Sequence, residues 1–410
     1  MKKSLKCMKG IAIFLSAAIS LNLINGFVRI AKVRYIEREP TVTEKTLRFN
    51  EDGKFTVLQL SDLQDNVLFK GMSKEFINAV LDETKPDLVV LTGDNIGPNT
   101  SKTADLVYLS IHEFMSIFEE RGIKVAAVFG NHDEEGNAYN KDEQIEVYKK
   151  YSCYVGSDVE DISGSGNYNL PILASKEDKT AFNLWFFDSG EYNDENDLGG
   201  YGCVHKDQVD WYVDTEKKLT KENGGTPVPS LAFQHIIVPE VYKVLEKVEN
   251  PEDEKYKDKN VIEFGGKYYT FPEKYTDEDT FLSETACSPN YSNGQADAFI
   301  ENGNVLGVVS GHDHKNSFVI PYKSLDIIQS PASSFGSYGD MNRGARVFVL
   351  DEKDTSTYET DVIFMRDIFD MEDSFTYARY ILNNDGGNLN FPGLFKNGIR
   401  YIGAKLGIVK

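Results

Sequence analysis

Apolar runs recur along this chain, and most of them break off abruptly at a short polar tip. "FTVLQL" (55–60) reads as a strand by its β-branched and apolar content. "SKEFINAVLDET" (73–84) follows, with Phe76, Ile77, Val80 and Leu81 at helical spacing and Ser73 as the expected N-cap. "DLVVLTGDN" (87–95) is a second buried strand, and "KVAAVFGNHD" (124–133) a third. Between them a long helix is expected over Thr103–Arg121, stopped by Gly122. This alternation of strand and helix argues for an α/β sheet whose strands run largely parallel.

The pattern then changes. "YNLPILA", "AFNLWFFDSG", "SLAFQH", "NVLGVVSGHDH", "SFVIPY", "LDIIQS", "ARVFVL" and "DVIFM" are short strands with few helices between them. Such a run predicts a second, more antiparallel sheet. One helix near Lys206–Leu219 interrupts it, and residues 250–285 read as a polar inserted surface segment.

The two ends differ from this middle. Lys2, Lys3, Lys6 and Lys9 precede an uncharged, mostly apolar stretch, Ile11–Val28, which reads as a signal peptide or signal anchor. Arg29, Lys32, Arg34 and Arg38 follow it, so the basic flanks nearly balance and orientation is weakly specified. We expect residues 1–28 to direct export, residues 29–45 to form a tether, residues 46–368 to form the main domain, and residues 369–410 to form a separate tail. Export would leave the main domain extracellular or anchored on the outer face of the cell membrane. In the tail, Phe395, Ile399, Ile402, Leu406 and Val409 share one helical face beside Lys396, Arg400, Lys405 and Lys410. A basic amphipathic segment of this kind suits a membrane interface, although Gly398, Gly403 and Gly407 weaken the helix.

Composition narrows the partners. The formal charge of −21 argues against nucleic acid as a broad-surface partner, because such binding depends on clustered Lys and Arg. Cys7 lies in the leader, and Cys153, Cys203 and Cys287 are too few and too scattered for a disulfide framework or a zinc cluster.

The chemistry lies in the tips. "QLSDLQ", "VLTGDN", "AVFGNHD", "LAFQH" and "VVSGHDH" each end an apolar strand, and four of the six histidines (His132, His235, His312 and His314) sit in them. Polar groups at strand carboxyl ends converge on one edge of an α/β sheet. A set of Asp, Asn, His and Gln donors suits a pair of divalent metals. His112, within the long helix, and His205, ahead of the next one, read as ordinary structural residues.

The order DxQ, GDN, GNHD, H and GHDH resembles the calcineurin-like metallophosphoesterases, whose first motif is usually DxH. The flanking text "LRFNEDGKFTVLQLSD", "GNYNL", "LWFFDSGEY", "GYGCVHKDQVDWY", "GHDHKNSF" and "RGARVFVL" is similar to the short purple-acid-phosphatase-like proteins of plants, fungi and bacteria. The resemblance implies two packed mixed β-sheets flanked by helices, a four-layer α-β-β-α sandwich. It also implies two divalent ions (Mn, Fe, Zn or Mg) sharing a bridging hydroxide as nucleophile. Asp62, Gln64, Asp94 and His314 would hold the first ion, and Asp94, Asn131, His235 and His312 the second. His132 would assist the leaving oxygen, oriented by Asp133. The substrate would be a small phosphorylated molecule: a phosphomonoester first, a phosphodiester or nucleotide second. A non-catalytic or single-metal surface binding protein is the alternative.

Two positions depart from the pattern. Gly97 stands where purple acid phosphatases place the tyrosine of GDxxY, so no ferric site is expected. Gln64 replaces the usual histidine, and its amide oxygen is expected to face the first ion.

Overall fold

The computed structural model describes residues 46–384, apart from Leu68 and Lys70. The expected leader, the tether and the basic segment 395–410 lie outside the described residues. Among the described residues sixteen strands form two large sheets and one small one. They are β1 (Leu47–Arg48), β2 (Lys54–Leu60), β3 (Leu88–Thr92), β4 (Lys124–Val128), β5 (Tyr168–Leu173), β6 (Thr180–Phe186), β7 (Ser230–Phe233) and β8 (Glu246–Val248). They continue with β9 (Val261–Phe264), β10 (Lys267–Thr270), β11 (Phe281–Leu282), β12 (Val305–Ser310), β13 (Asn316–Tyr322), β14 (Leu325–Gln329), β15 (Gly344–Asp351) and β16 (Glu359–Phe364). The helices that pack on them are α1 (Gly71–Thr84), α2 (Ala104–Arg121), α3 (Lys141–Tyr148), α4 (Lys206–Glu222), α5 (Gln295–Asn302) and α6 (Ser374–Asn383).

The first sheet has the order β16-β15-β2-β3-β4, and β2, β3 and β4 are parallel as expected. Its strands are apolar on both faces. Leu58, Val89, Leu91, Val125 and Ala127 pack outward against Phe76, Ile77, Val107, Phe114 and Tyr148 of α1–α3. The alternating residues Val57, Leu88, Val90, Ala126 and Val128 face the second sheet and meet Leu184, Phe186, Leu231, Phe233, Val309 and Ile328. The other face of that second sheet, through Trp185, Ala232, Val308 and Ile327, packs on Val209 and Tyr212 of α4 and Phe299 of α5. Strand alternation thus builds four layers, α-β-β-α, from runs that must be apolar on both sides.

Three expectations are corrected. The second sheet, β1-β5-β6-β7-β12-β14-β13-β11, is mixed, as the family resemblance implied, and less antiparallel than the run of short strands suggested: β6, β7, β12 and β14 run parallel at its centre. The parallel step from β6 to β7 needs a long crossover, and α4 lies in it. "ARVFVL" and "DVIFM" do not join that sheet. As β15 and β16 they extend the first sheet, with β15 antiparallel to β2 from Arg346 opposite Gln59 to Asp351 opposite Lys54. Ser73 is not an N-cap but a buried residue inside α1, where its hydroxyl accepts the Phe335 amide. The long helix keeps its expected ends, with the Thr103 side chain capping Leu106 N–H and Gly122 left-handed at its close. Part of the polar 250–285 stretch belongs to a small antiparallel sheet, β8-β10-β9, and Ile262, Tyr269 and Phe271 are buried with α4 and α5.

Candidate metal centre

All five polar tips meet at one edge of the sandwich. Asp62 follows β2, Asp94 follows β3, and Asn131 and His132 follow β4. His235 follows β7, while His312 and His314 follow β12, so the two sheets each contribute donors. The chain leaves these strands by sharp turns. Asp62, Gln64, Asp94 and His312 have φ of 52°, 40°, 49° and 75°. That left-handed backbone is disfavoured for such residues by about 1–3 kcal/mol each and concentrates at functional sites. Backbone pairing continues past the strands, with Asp62 N–H to Gly93 O at 3.1 Å and Gln64 N–H to Asp94 O at 2.8 Å. The glycines of the tips allow the approach: a methyl group on Gly130 would lie 2.2 Å from Asp94 Oδ1 and 2.7 Å from His235 Nε2.

Around His235 the four residues of the second donor set come together. Its Nδ1–H donates to the Thr92 carbonyl at 2.8 Å, which turns Nε2 inward. That nitrogen lies 3.2 Å from Asn131 Oδ1, 3.3 Å from His312 Nδ1 and 3.4 Å from Asp94 Oδ2. In the first set, His314 is held the same way, with Nδ1–H on the Tyr338 carbonyl at 3.1 Å and Nε2 3.3 Å from Asp62 Oδ1. A ligand histidine is commonly fixed by such a bond from its other nitrogen. Ligand atoms of Asp62, Asp94 and His235 lie within 4.8 Å of one another, and all three residues are buried.

The donor set fits divalent ions. Asp62 Oδ1 and His312 Nε2 are buried with no hydrogen-bond partner among the described residues. Buried polar atoms are normally paired, so an orphan of this kind calls for an explanation. The cluster is also short of positive charge. Burial alone would lower the His235 imidazole, yet Asp94 and Asp62 overcome it and push it up to about 10. Burial would raise the Asp62 carboxyl, but His314 and His235 hold it below its ordinary range, and Asp94 is held down in the same way by His235 and His132. His312, pushed down to about 3 by burial and by His235, stays a neutral imidazole. Two buried carboxylates that draw charge from every neighbour are the environment a cation satisfies.

Gln64 reaches the cluster, but with its nitrogen forward: Nε2 donates to Asp94 Oδ2 at 2.7 Å. The expectation of an oxygen facing the first ion is therefore corrected, since a carboxylate accepts and the amide must offer its N–H. Asp133 is also corrected. Among the described residues its carboxylate makes no hydrogen bond to His132; its oxygens accept the N–H groups of Asn95, Ile96 and Gly130, tying two tips together in full burial. Burial, with Asp94 adding to it, pushes its carboxyl up to about 7. The partner of His132 is Glu135, whose carboxylate accepts from Nδ1–H at 2.5 Å. The sequence "HDEEG" held three acids after His132, and the turn made by Glu135 N–H on His132 O selects the third. His132 N–H itself donates to Asp94 Oδ1 at 2.8 Å. His112 hydrogen bonds Tyr151 Oη at 2.9 Å, and His205 caps α4 between Asp194 and Glu195.

Comparison with known proteins adds a lineage to this geometry. Residues 55–316 match the calcineurin-like phosphoesterase family. Probable inactive purple acid phosphatase 14 of Arabidopsis thaliana is 27% identical over 349 residues, 75% of this chain and 77% of that protein. Phosphatase DCR2 of Saccharomyces cerevisiae is 27% identical over 310 residues, 70% of this chain and 49% of the yeast protein. A dimetal phosphatase from Danio rerio superposes with a TM-score of 0.46 at 14% identity, over 75% of this chain and 98% of its own.

Proposed function

The chain belongs to the calcineurin-like phosphoesterase family, and on that basis we propose that it hydrolyses phosphate esters, phosphomonoesters foremost. The observation that carries this reading is the meeting of Asp62, Asp94 and His235, buried and with ligand atoms within 4.8 Å. Asp62, Asp94 and His314 would hold one divalent ion, with Gln64 bonded to Asp94 at its edge, and Asp94, Asn131, His235 and His312 a second. Such a pair supplies an activated water and neutralises charge on the phosphoryl group. The remaining work falls to the protein. Asp94, hydrogen bonded by Gln64 and by His132 N–H, is fixed between the two donor sets. Glu135 takes the Nδ1–H of His132 and leaves Nε2 to pass a proton to the ester oxygen. Water oxygen bonds to phosphorus, the phosphorus–ester oxygen bond breaks, and the departing oxygen takes the His132 proton as the alcohol leaves.

The test is turnover of a panel of phosphomonoesters and diesters by purified protein with added Mn²⁺, repeated with His132→Ala. Hydrolysis that falls by about 10²–10⁴-fold in the variant supports the assignment. Equal turnover in both proteins sinks the role of His132.

A second reading, a single-metal surface binding protein, is supported by the nitrogen of Gln64 facing Asp94 and by the word "inactive" in the name of the Arabidopsis relative. Metal analysis separates the two: about two ions per chain supports the hydrolase, one or none the binding protein. We place the protein outside the cell or on the outer face of its membrane, on the strength of the leader sequence. No helix among the described residues is long and apolar enough to cross a membrane.

A further inference from the structure

Beyond β6 the chain enters an arm whose base is a pair of tyrosines. Tyr192 and Tyr201 form an isolated antiparallel bridge, and their rings stack with centroids 5.7 Å apart at 19°. Tyr201 meets His312 edge-on at 4.4 Å. A line of rings therefore runs outward from a donor of the metal centre: His312, Tyr201, Tyr192. Tyr192 is 55% exposed even though Tyr201 covers one of its faces.

The arm is held in place. Asn193 N–H donates to Gly200 O and Gly202 N–H to Glu191 O. The Asn290 amide donates to the Leu198 and Gly199 carbonyls, and that of Asn293 to Glu195. Below the arm, Lys141 joins Asp188 in a buried ion pair at 3.1 Å. Ordering of the ring is thus completed in the free protein, and a ligand that stacks on it loses little freedom of the protein.

The side of the site on which Tyr192 stands matters. Burial first, then the carboxylates of Glu135, Glu191 and Asp94, raise its hydroxyl above the ordinary range. Through Tyr201 the ring is joined to His312, so Tyr192 stands at the rim of the donor set, where the organic part of a bound ester would lie. Those same carboxylates disfavour a leaving group that carries further negative charge.

We propose that Tyr192, backed by Tyr201, is a stacking platform for the leaving group, and that the preferred substrates are phosphomonoesters of uncharged aromatic alcohols. This rests on the phosphoesterase reading. An isolated exposed tyrosine would carry nothing, but here one ring face is built onto a second ring that touches a donor histidine. Aromatic stacking gives a preference of roughly 3–10-fold over an aliphatic ring of the same size.

The experiment compares benzyl phosphate with cyclohexylmethyl phosphate, which share the same kind of CH₂–O–P linkage and differ chiefly in the ring. It also measures binding of benzylphosphonate and cyclohexylmethylphosphonate, which cannot be turned over, to the Mn²⁺-loaded full chain. The expected result is a benzyl preference in kcat/KM and in phosphonate affinity, kept by Tyr192→Phe and erased by Tyr192→Ala. Esters cleaved with no benzyl preference, or a preference that survives Tyr192→Ala, overturn the platform and leave the hydrolase standing. A phosphonate preference lost in Tyr192→Ala, without turnover of either ester, upholds the platform and overturns the hydrolase. Neither turnover nor selective binding overturns both.

Discussion

The backbone carbonyl of Gln64 lies against Gly97, so close that a methyl group on Gly97 would stand 2.7 Å from that oxygen. The two residues that depart from the family pattern are therefore neighbours, and the turn at 64 bears on the absence of a side chain at 97. The turn that carries Gln64 fills the space that a side chain at 97 would need. It is closed on its other side by Gly336, where a methyl group would meet Leu63 O at 2.2 Å. Gly97→Ala is expected to lower stability by about 1–3 kcal/mol through overpacking, read from the urea midpoint. Gly97→Tyr, incubated with ferric iron, is expected to show no purple charge-transfer band. Appearance of the band would mean that the turn yields more easily than this contact implies.

Gln64→His replaces an amide by an imidazole at the edge of the first donor set. We expect Mn²⁺ affinity at that set to rise by about 10–100-fold, measured by calorimetric titration, with the second set little changed. An unchanged affinity would mean that position 64 does not contact the ion.

Glu135 and Asp133 are expected to fail in different ways. Glu135→Gln should lower kcat by roughly 10–100-fold, a smaller loss than that from removing His132, with the melting temperature nearly unchanged. Asp133→Asn should cost about 1–3 kcal/mol of stability, because it weakens the acceptor of three buried N–H groups. A stability loss in the first variant, or none in the second, would reverse the assignment.

Lys141 and Asp188 are both buried, with side chains 7% and 2% exposed. Lys141→Met leaves the Asp188 carboxylate without its cation, with the N–H groups of Ser165 and Gly190 still donating to it, and should cost about 3–5 kcal/mol by chemical denaturation, while adding Asp188→Asn should recover part of the loss. A single variant as stable as the parent would mean that solvent reaches the pair.

Glu119 supplies a pH dependence remote from the metal centre. Its carboxylate accepts the N–H and hydroxyl of Ser152 and the N–H of Cys153. Burial would raise the carboxyl, but these hydrogen bonds outweigh burial and hold it below its ordinary value of 4.5. Its stabilising contribution is present above pH 4.5 and disappears as pH falls through the lowered folded value. The stability difference between parent and Glu119→Gln should therefore be constant near neutrality and shrink below about pH 4.5. A difference that grows on acidification would contradict the hydrogen-bond assignment.

The strand ends were legible because each joins a fully apolar run to a polar tip, and a buried strand can release its chain only at an edge. That signal marked the tips that carry Asp62, Asp94, Asn131, His235, His312 and His314, and the family resemblance named these residues as donors. Sheet membership was not legible. β15 is as apolar as its neighbours, and its pairing with β2, nearly three hundred residues earlier, leaves no local mark. Glu135 was hidden among three consecutive acids, where only the turn geometry distinguishes them. The direction of the Gln64 amide was equally hidden, because it depends on which atom of Asp94 lies opposite.

Asp62, Asp94 and Asn131 come from one sheet, and His235, His312 and His314 from the other. Ions held by donors from both sheets would fasten the two halves of the sandwich at its open edge. Ligands that bind only the folded state add to its stability by mass action. On the proposed reading, molecules stripped of their ions would lose hydrolytic activity and resistance to proteolysis together. A cation-poor setting would then remove idle copies first and leave the population enriched in loaded centres.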